Sequence, residues 1–267
     1  MPGTHLNNRK YLIMVKTLTI DIETSPNAAY VWRFFKENIS PNQILEHCDI
    51  MCFAAKWLDE DKVMYSGMPK EEKEVLKDIN VLLDQADIIV GHNLSKFDAS
   101  KIRGRSLVHG LALPSPYKEI DTYQSARKEF GFDGNSLDYL TRVFGIAKKS
   151  DHKEFPGFEL WLETLAGNKR AWAEMKRYNI QDVISTEELY LKMRPYIRNH
   201  PNVGVLMESD EIVCPKCGSE DNQRRGYAVT NTGKYQRYQC QDCGGWHRSR
   251  FTEYPKELRK ALTVNAV

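Results

Sequence analysis

No apolar run in this chain of 267 residues approaches the roughly 20 needed to span a bilayer, so neither a transmembrane helix nor a membrane partner is expected. The N-terminal segment MPGTHLNNRKYLIMVKTL lacks an apolar core followed by a cleavage site, which argues against a signal peptide and for a cytoplasmic protein. A large excess of one charge is also missing. Lys and Arg total 38 and Asp and Glu 36, so the molecule is no polycation, and any affinity for nucleic acid must reside in local patches. No internal repeat or low-complexity tract is present. Cysteine is scarce, at six residues, and a reducing compartment suits all of them. What remains is an ordinary globular composition, long enough for one sizeable domain and a small module. Met14 is a second candidate start, since the first clear strand begins only at about Thr17.

Periodicity outlines the larger domain. Lys16–Ile22 alternates as a strand with Leu18, Ile20 and Ile22 on one face. Tyr30–Phe35, Ile50–Leu58 and Val63–Ser66 read as further strands, and Ile88–Val90 as a short buried one. Helical spacing of apolar residues predicts a helix over Pro69–Gln85. Further helices are expected over Ser95–His109, from Asp121 to Arg127, over Ser136–Phe144 and over Ala171–Met193, with Tyr117–Asp121 extended at a sheet edge. Lys148–Gly157 reads as a loop. Strands first, then alternation, then helices argue for an α/β fold with a mixed sheet flanked by helices. The expected division is a domain over 14–195, a proline-containing linker over 196–208, a cysteine module over 209–251 and a tail over 252–267.

Four acids and a tyrosine stand out against this background. Asp21 and Glu23, one residue apart on a strand, project from the same face. Asp98 follows a buried strand and a Gly-His-Asn turn. It is either a first-turn helix acid or part of a site. Asn93 either caps that helix or contacts substrate, and Phe97 either packs in the core or wedges against a base. Tyr178 and Asp182, at i and i+4, share a helix face. Carboxylates are costly to gather unless cations hold them together.

Asp-x-Glu on the first strand, Asn-x-x-x-Phe-Asp after a later strand and Tyr-x-x-x-Asp on a late helix together resemble the DEDD exonuclease superfamily, in its Tyr subclass. The other subclass carries His five residues before the last acid, where this chain has Arg177. The resemblance spans roughly residues 17–195 and is nearest to the proofreading domains of family-B DNA polymerases. It implies an RNase H-like fold and a stand-alone 3′→5′ exonuclease that releases 5′-mononucleotides. It also implies two Mg²⁺ or Mn²⁺ ions, with Asp21 bridging both, Glu23 and Asp182 on the water-side ion, Asp98 on the other and Tyr178 orienting the attacking water. Single-stranded DNA is the favoured substrate, RNA the alternative. Lys101 and Arg105, with Lys96 and Arg103, either neutralise backbone phosphates or form a solvated helix face.

The last segment carries two matched knuckles, Cys214-Pro-Lys-Cys217-Gly and Cys240-Gln-Asp-Cys243-Gly, whose spacing favours one structural Zn²⁺ held by four thiolates. Predicted hairpin strands lie between them, and the whole resembles a zinc ribbon. Arg224, Arg225 and Arg237 interleave with Tyr238 and Trp246, so the ribbon either holds nucleic acid through phosphates and stacking or docks a replication or repair protein. A non-catalytic binding protein that works through the ribbon is the rival reading. Cys48 and Cys52 read as buried thiols, and His92 as structural.

Overall fold

The computed structural model describes residues 14–146, 154–264 and 266, which divide into two compact units, Lys16–Met193 and one that contains Arg194 onward. In the first, seven strands run as β1 (Thr17–Thr24), β2 (Ala28–Ala29), β3 (Ile44–Glu46), β4 (Ile50–Trp57), β5 (Val63–Ser66), β6 (Ile88–Gly91) and β7 (Lys118–Asp121). Its helices are α1 (Glu72–Leu83), α2 (Asp98–Val108), α3 (Thr122–Glu129), α4 (Leu137–Phe144), α5 (Glu159–Leu165) and α6 (Lys169–Met193).

Five strands make one mixed sheet in the order β5-β4-β1-β6-β7. β1 lies at its centre, antiparallel to β4 and parallel to β6. Alternation along β1 serves both faces. Leu18, Ile20 and Ile22 pack with Val75, Leu76 and Ile79 of α1 and Ile102 of α2. Asp21 and Glu23 point the other way, toward α6, where Asn179 reaches Asp21. Buried positions of α6 recur every three or four residues from Ala171 to Met193, as a helix laid on a sheet requires, with polar Asn179, Asp182, Ser185 and Thr186 among them. Ser136 caps α4 by accepting from the Tyr139 N–H, and Gly145 ends it at φ 62°, where a side chain would be strained.

Some sequence expectations need correction. Tyr30–Phe35 is not a strand but an open loop, with Tyr30 70%, Trp32 94%, Phe34 93% and Phe35 82% exposed. β-propensity suggested a strand, but local hydrogen bonds win. The Glu37 carboxylate accepts the N–H groups of Trp32 and Arg33 at 2.8–3.1 Å, and Gln43 donates to the Tyr30 carbonyl. α5 was unforeseen, because Pro156 and Gly157 made its start read as loop. Most of the loop expected over 148–157 lies outside the described residues. No described helix is long and apolar enough to cross a membrane.

The second unit holds α7 (Val203–Leu206), β8 (Asn222–Thr230), β9 (Gly233–Cys240), β10 (Trp246–Arg248) and α8 (Lys256–Lys260), with strand order β10-β9-β8. The segment read as linker is folded within it. Val203 is buried and donates its N–H to the Pro215 carbonyl of the first cysteine knuckle. The tail read from 252 continues the unit, since Glu253 donates its N–H to the Lys234 carbonyl of β9.

Candidate active site

The end of β1, the start of α2 and the middle of α6 converge on one cluster. Carboxylate oxygens of Asp21, Glu23 and Asp182 lie within 4.8 Å of one another. Asp98 stands beside them, with its Oδ1 accepting the Ile22 N–H at 3.0 Å. Glu23, Asp98 and Asp182 are buried and Asp21 is half-buried. The Tyr178 hydroxyl, also buried, is hydrogen-bonded to Asp182.

Burial and mutual repulsion dominate the electrostatics. Desolvation, then the charges of Asp98, Glu23 and Asp182, hold Asp21 well above the ordinary carboxylate range, against the stabilising bond from Asn179. Burial pushes Asp98 up to about 7, and the charge of Asp121 adds to this, despite the Ile22 N–H that favours the ionised form. Burial and the neighbouring carboxylates keep the Tyr178 phenol protonated, so it acts as a hydrogen-bond donor rather than a base at neutral pH. Such a set is unfavourable by itself and fits hard divalent cations of the Mg²⁺ or Mn²⁺ kind, which take oxygen ligands. Asp21, Glu23 and Asp182 would hold one, with Asp98 alongside.

This has a stability signature. The unfolded Asp98 carboxyl releases its proton near 3.8, whereas the folded one keeps it to about 7. Between those values the unfolded chain binds fewer protons, so stability falls as pH rises. In chelator, the melting midpoint of the Lys16–Met193 unit is expected to drop from pH 4 to pH 7. Mn²⁺ at about 100 times its Kd should restore roughly 2.7 kcal/mol at pH 7. A midpoint that rises with pH in chelator, or ignores Mn²⁺, would contradict the site.

Two positioning residues were not foreseen. Asn179 donates from Nδ2 to Asp21 Oδ2 at 2.7 Å and to the Asp21 carbonyl at 3.2 Å, which orients that carboxylate. Its only signal was a polar residue next to Tyr178 on a face otherwise turned to the core. Asp121, at the end of β7, accepts the N–H groups of Asn93 (3.1 Å), Ser95 (3.2 Å) and Gln124 (3.0 Å). It fixes the loop that leads into Asp98, including Asn93 at φ 66°.

The expected substrate contacts separate. Asn93 does not cap α2, whose N-cap is Phe97, and Phe97 is 37% exposed rather than in the core. Lys101 donates to Cys48 Sγ at 2.8 Å, so Cys48 is only half-buried and already bonded. Arg105 is bidentate on Glu72 and also pairs with Asp49, and Arg103 pairs with Glu119 at 2.9 Å, so none of the three cations on α2 is held ready for phosphate. The His92 Nδ1 bonds Thr122, in keeping with a structural role.

In the second unit the Sγ atoms of Cys214, Cys217, Cys240 and Cys243 lie within 4.8 Å of one another. Gly218 (φ 78°) and Gly244 (φ 74°) close the two knuckles by donating to the Cys214 and Cys240 carbonyls. The hydrogen bond from Cys217 draws Cys214 down, while that bond and burial hold Cys217 up. Four thiols so close cannot all ionise by themselves, which suits a tetrahedral cation such as Zn²⁺. Arg224, Arg225 and Arg237 are exposed, and Trp246 is 47% exposed beneath the Arg237 guanidinium, 4.8 Å from its ring centroid. Tyr238 is corrected from a substrate contact to a core residue. It is buried and stacked on His247, because it faces inward in register with it.

The family model described as the RNase_H superfamily matches residues 45–194, a span that holds Asp98, Tyr178 and Asp182 and follows β1. The family B DNA polymerase of the hyperthermophilic archaeon Pyrobaculum calidifontis is similar in structure, with a TM-score of 0.53 and 19% identity. That likeness covers 68% of this chain and 25% of the polymerase, so the chain spans about a quarter of the polymerase's length, and at such identity it concerns the fold. No curated protein matches the chain. With its mixed five-stranded sheet, carboxylates at the end of the central strand and a family match over more than half its length, this chain belongs to the RNase H superfamily.

Proposed function

We propose that the protein is a divalent-metal-dependent 3′→5′ exonuclease acting on single-stranded nucleic acid, DNA in preference to RNA, and releasing 5′-mononucleotides. The observation that carries it is the meeting of Asp21, Glu23 and Asp182 within 4.8 Å, with Asp98 beside them and Tyr178 bonded to Asp182. Membership of the RNase H superfamily supports a nuclease. The 3′→5′ polarity rests on the resemblance to proofreading domains. When bound, the metal pair supplies an activated water and offsets charge on the leaving oxygen. Asp21, oriented by Asn179, would be shared by the two ions, with Glu23 and Asp182 as the ligands toward the water and Asp98 toward the leaving group. Tyr178 stays protonated and orients the attacking water through its hydroxyl.

Other surfaces suit a single strand. Trp32, Phe34 and Phe35 project from an anchored loop that also carries Arg33 and Lys36, which offers stacking beside charge. On the ribbon, Arg237 with Trp246 and Arg248 with Tyr235 pair cations with rings at 4.8 and 3.9 Å, a platform of the same chemistry. These favour nucleic acid over protein docking as the ribbon's partner.

The test is a gel time course on 5′-labelled single strands, DNA and RNA in parallel, with Mg²⁺ or Mn²⁺ and with EDTA. A metal-dependent ladder shrinking from the 3′ end is expected. Binding without cleavage under either ion would replace the enzyme by a nucleic-acid-binding protein. Tyr178→Phe keeps the ring and removes the donor. It is expected to slow turnover about 10–100-fold, the usual cost of losing a group that positions the reaction, with KM little changed. An unchanged turnover would take Tyr178 out of the reaction.

A further inference from the structure

Two of the cations expected to meet phosphates, Lys101 and Arg105, lie on α2 and are bonded to Cys48, Glu72 and Asp49. A different lysine, Lys176, lies over the ring of Tyr65, a side chain near enough to Glu23 to feel its charge. Between the end of β5 and the first half of α6 opens a cleft of about 420 Å³, lined by Tyr65, Gly67, Lys70, Trp172 and Lys176 among others. That volume lies in the ~300–1,000 Å³ range of small-ligand sites. Its floor adjoins the site. Tyr65 and Trp172 pack on the cluster that contains Tyr178 and Cys52. Cys52, bonded to the Tyr65 hydroxyl, lies opposite Glu23 in the β1–β4 ladder.

The cleft depends on a glycine. A Cβ at Gly67 would stand 2.6 Å from Cys52 Cβ and 2.8 Å from the Tyr65 hydroxyl, so any other residue there would displace its floor. Lys176 lies over Tyr65, with Nζ 5.1 Å from the ring centroid, and no carboxylate pairs with it among the described residues. Lys70 at the other rim is matched by Asp78. Four carboxylates in the site repel a polyanion, and an unmatched cation over Tyr65, whose partner Cys52 is in register with Glu23, lowers that barrier.

We propose that this cleft is a phosphate subsite, in which Lys176 neutralises a backbone phosphate of the strand whose end lies at the carboxylate cluster. The substrate class rests on the nuclease reading. A single lysine contacts phosphate as a point charge, so the subsite positions the strand without reading its sequence.

Binding, measured apart from cleavage, separates the two ideas. Fluorescence anisotropy of a short labelled oligothymidylate would be followed against salt, with Ca²⁺ in place of Mg²⁺. Wild type would be compared with Lys176→Ala, Lys176→Arg and Lys118→Ala, the last an exposed lysine at the start of β7, away from the strand ends that carry the acids. Each phosphate contact on a single strand contributes about 0.7 to the slope of log K against log salt. Lys176→Ala is expected to lower that slope by about 0.7 and weaken binding roughly three- to tenfold. Lys176→Arg should restore both, and Lys118→Ala should match wild type. An unchanged slope in Lys176→Ala overturns the subsite even if the enzyme cleaves. Binding with the expected slope change but no cleavage in Mg²⁺ or Mn²⁺ leaves the subsite and removes the nuclease. Absence of salt-dependent binding by the wild type removes both.

Discussion

Replacing Asp21 or Asp182 by Ala should reduce metal-dependent cleavage by at least about 10³-fold and leave the fold in place. Loss of a group that merely supports a metal ligand costs about 10–100-fold, and these two are proposed as ligands themselves. Asp21 carries the greater effect. Its carboxylate is held by Asn179 and flanked by Glu23, Asp98 and Asp182, so its removal takes away the group all the others surround. The same surroundings govern stability. In chelator, Asp21 is a half-buried acid among acids, and Asp21→Ala relieves repulsion. The melting midpoint in EDTA is therefore expected to stay level or rise, and the gain from Mn²⁺ to disappear. Full cleavage by either variant would sink the metal-site assignment. Lost cleavage with an intact Mn²⁺ response would place the metal elsewhere.

The second large effect belongs to the cysteine cluster. Cys217→Ser is expected to take zinc from about one per chain to near none and to unfold the unit containing Arg194 onward. Magnitudes decide this. A small module has a core worth only about 3–5 kcal/mol, whereas structural zinc contributes roughly 10–16 kcal/mol of apparent binding energy. Metal analysis would report the first change. Limited proteolysis would report the second, with cuts confined to the cysteine unit while Lys16–Met193 stays resistant. Cys48→Ser is the control, since Cys48 is bonded to Lys101 rather than to the cluster. Retained zinc and protease resistance in Cys217→Ser would take Cys217 out of the ligand set, and a wild type that carries no zinc would dismiss the metal.

Legibility in the sequence followed the range of the interactions. β1, β4, α1, α4 and α6 announce themselves through alternation, helical spacing and caps, all set by residues a few positions apart. The paired spacings put Asp21 and Glu23 on one strand face and Tyr178 and Asp182 on one helix face, but it was the resemblance of three motifs taken together that singled out the set with Asp98. What α2's cations do was not legible. Arg105 finds Glu72 33 residues away and Lys101 finds Cys48 53 away, and no local pattern reveals such partners. The Asp121 clamp on Asn93 and Ser95 is equally long-range. Tyr30–Phe35 misled for the opposite reason. Its composition suited a strand, but Glu37 captured the backbone first.

The central position of β1 has one more consequence. Ile20 and Ile22 face one layer of the sheet and Asp21 and Glu23 the other, in register with Ala55, Phe53, Ala54 and Cys52 of β4. A slip of one residue would exchange these sets, sending two carboxylates into the layer against α1 and two isoleucines onto the face toward α6. No stable product of such a slip could keep an intact but misplaced set of ligands. Selection for a sheet that holds together is therefore also selection for acids in the right place. A library varied along β1 and screened only for heat resistance would be purged of its misregistered members without an assay for activity.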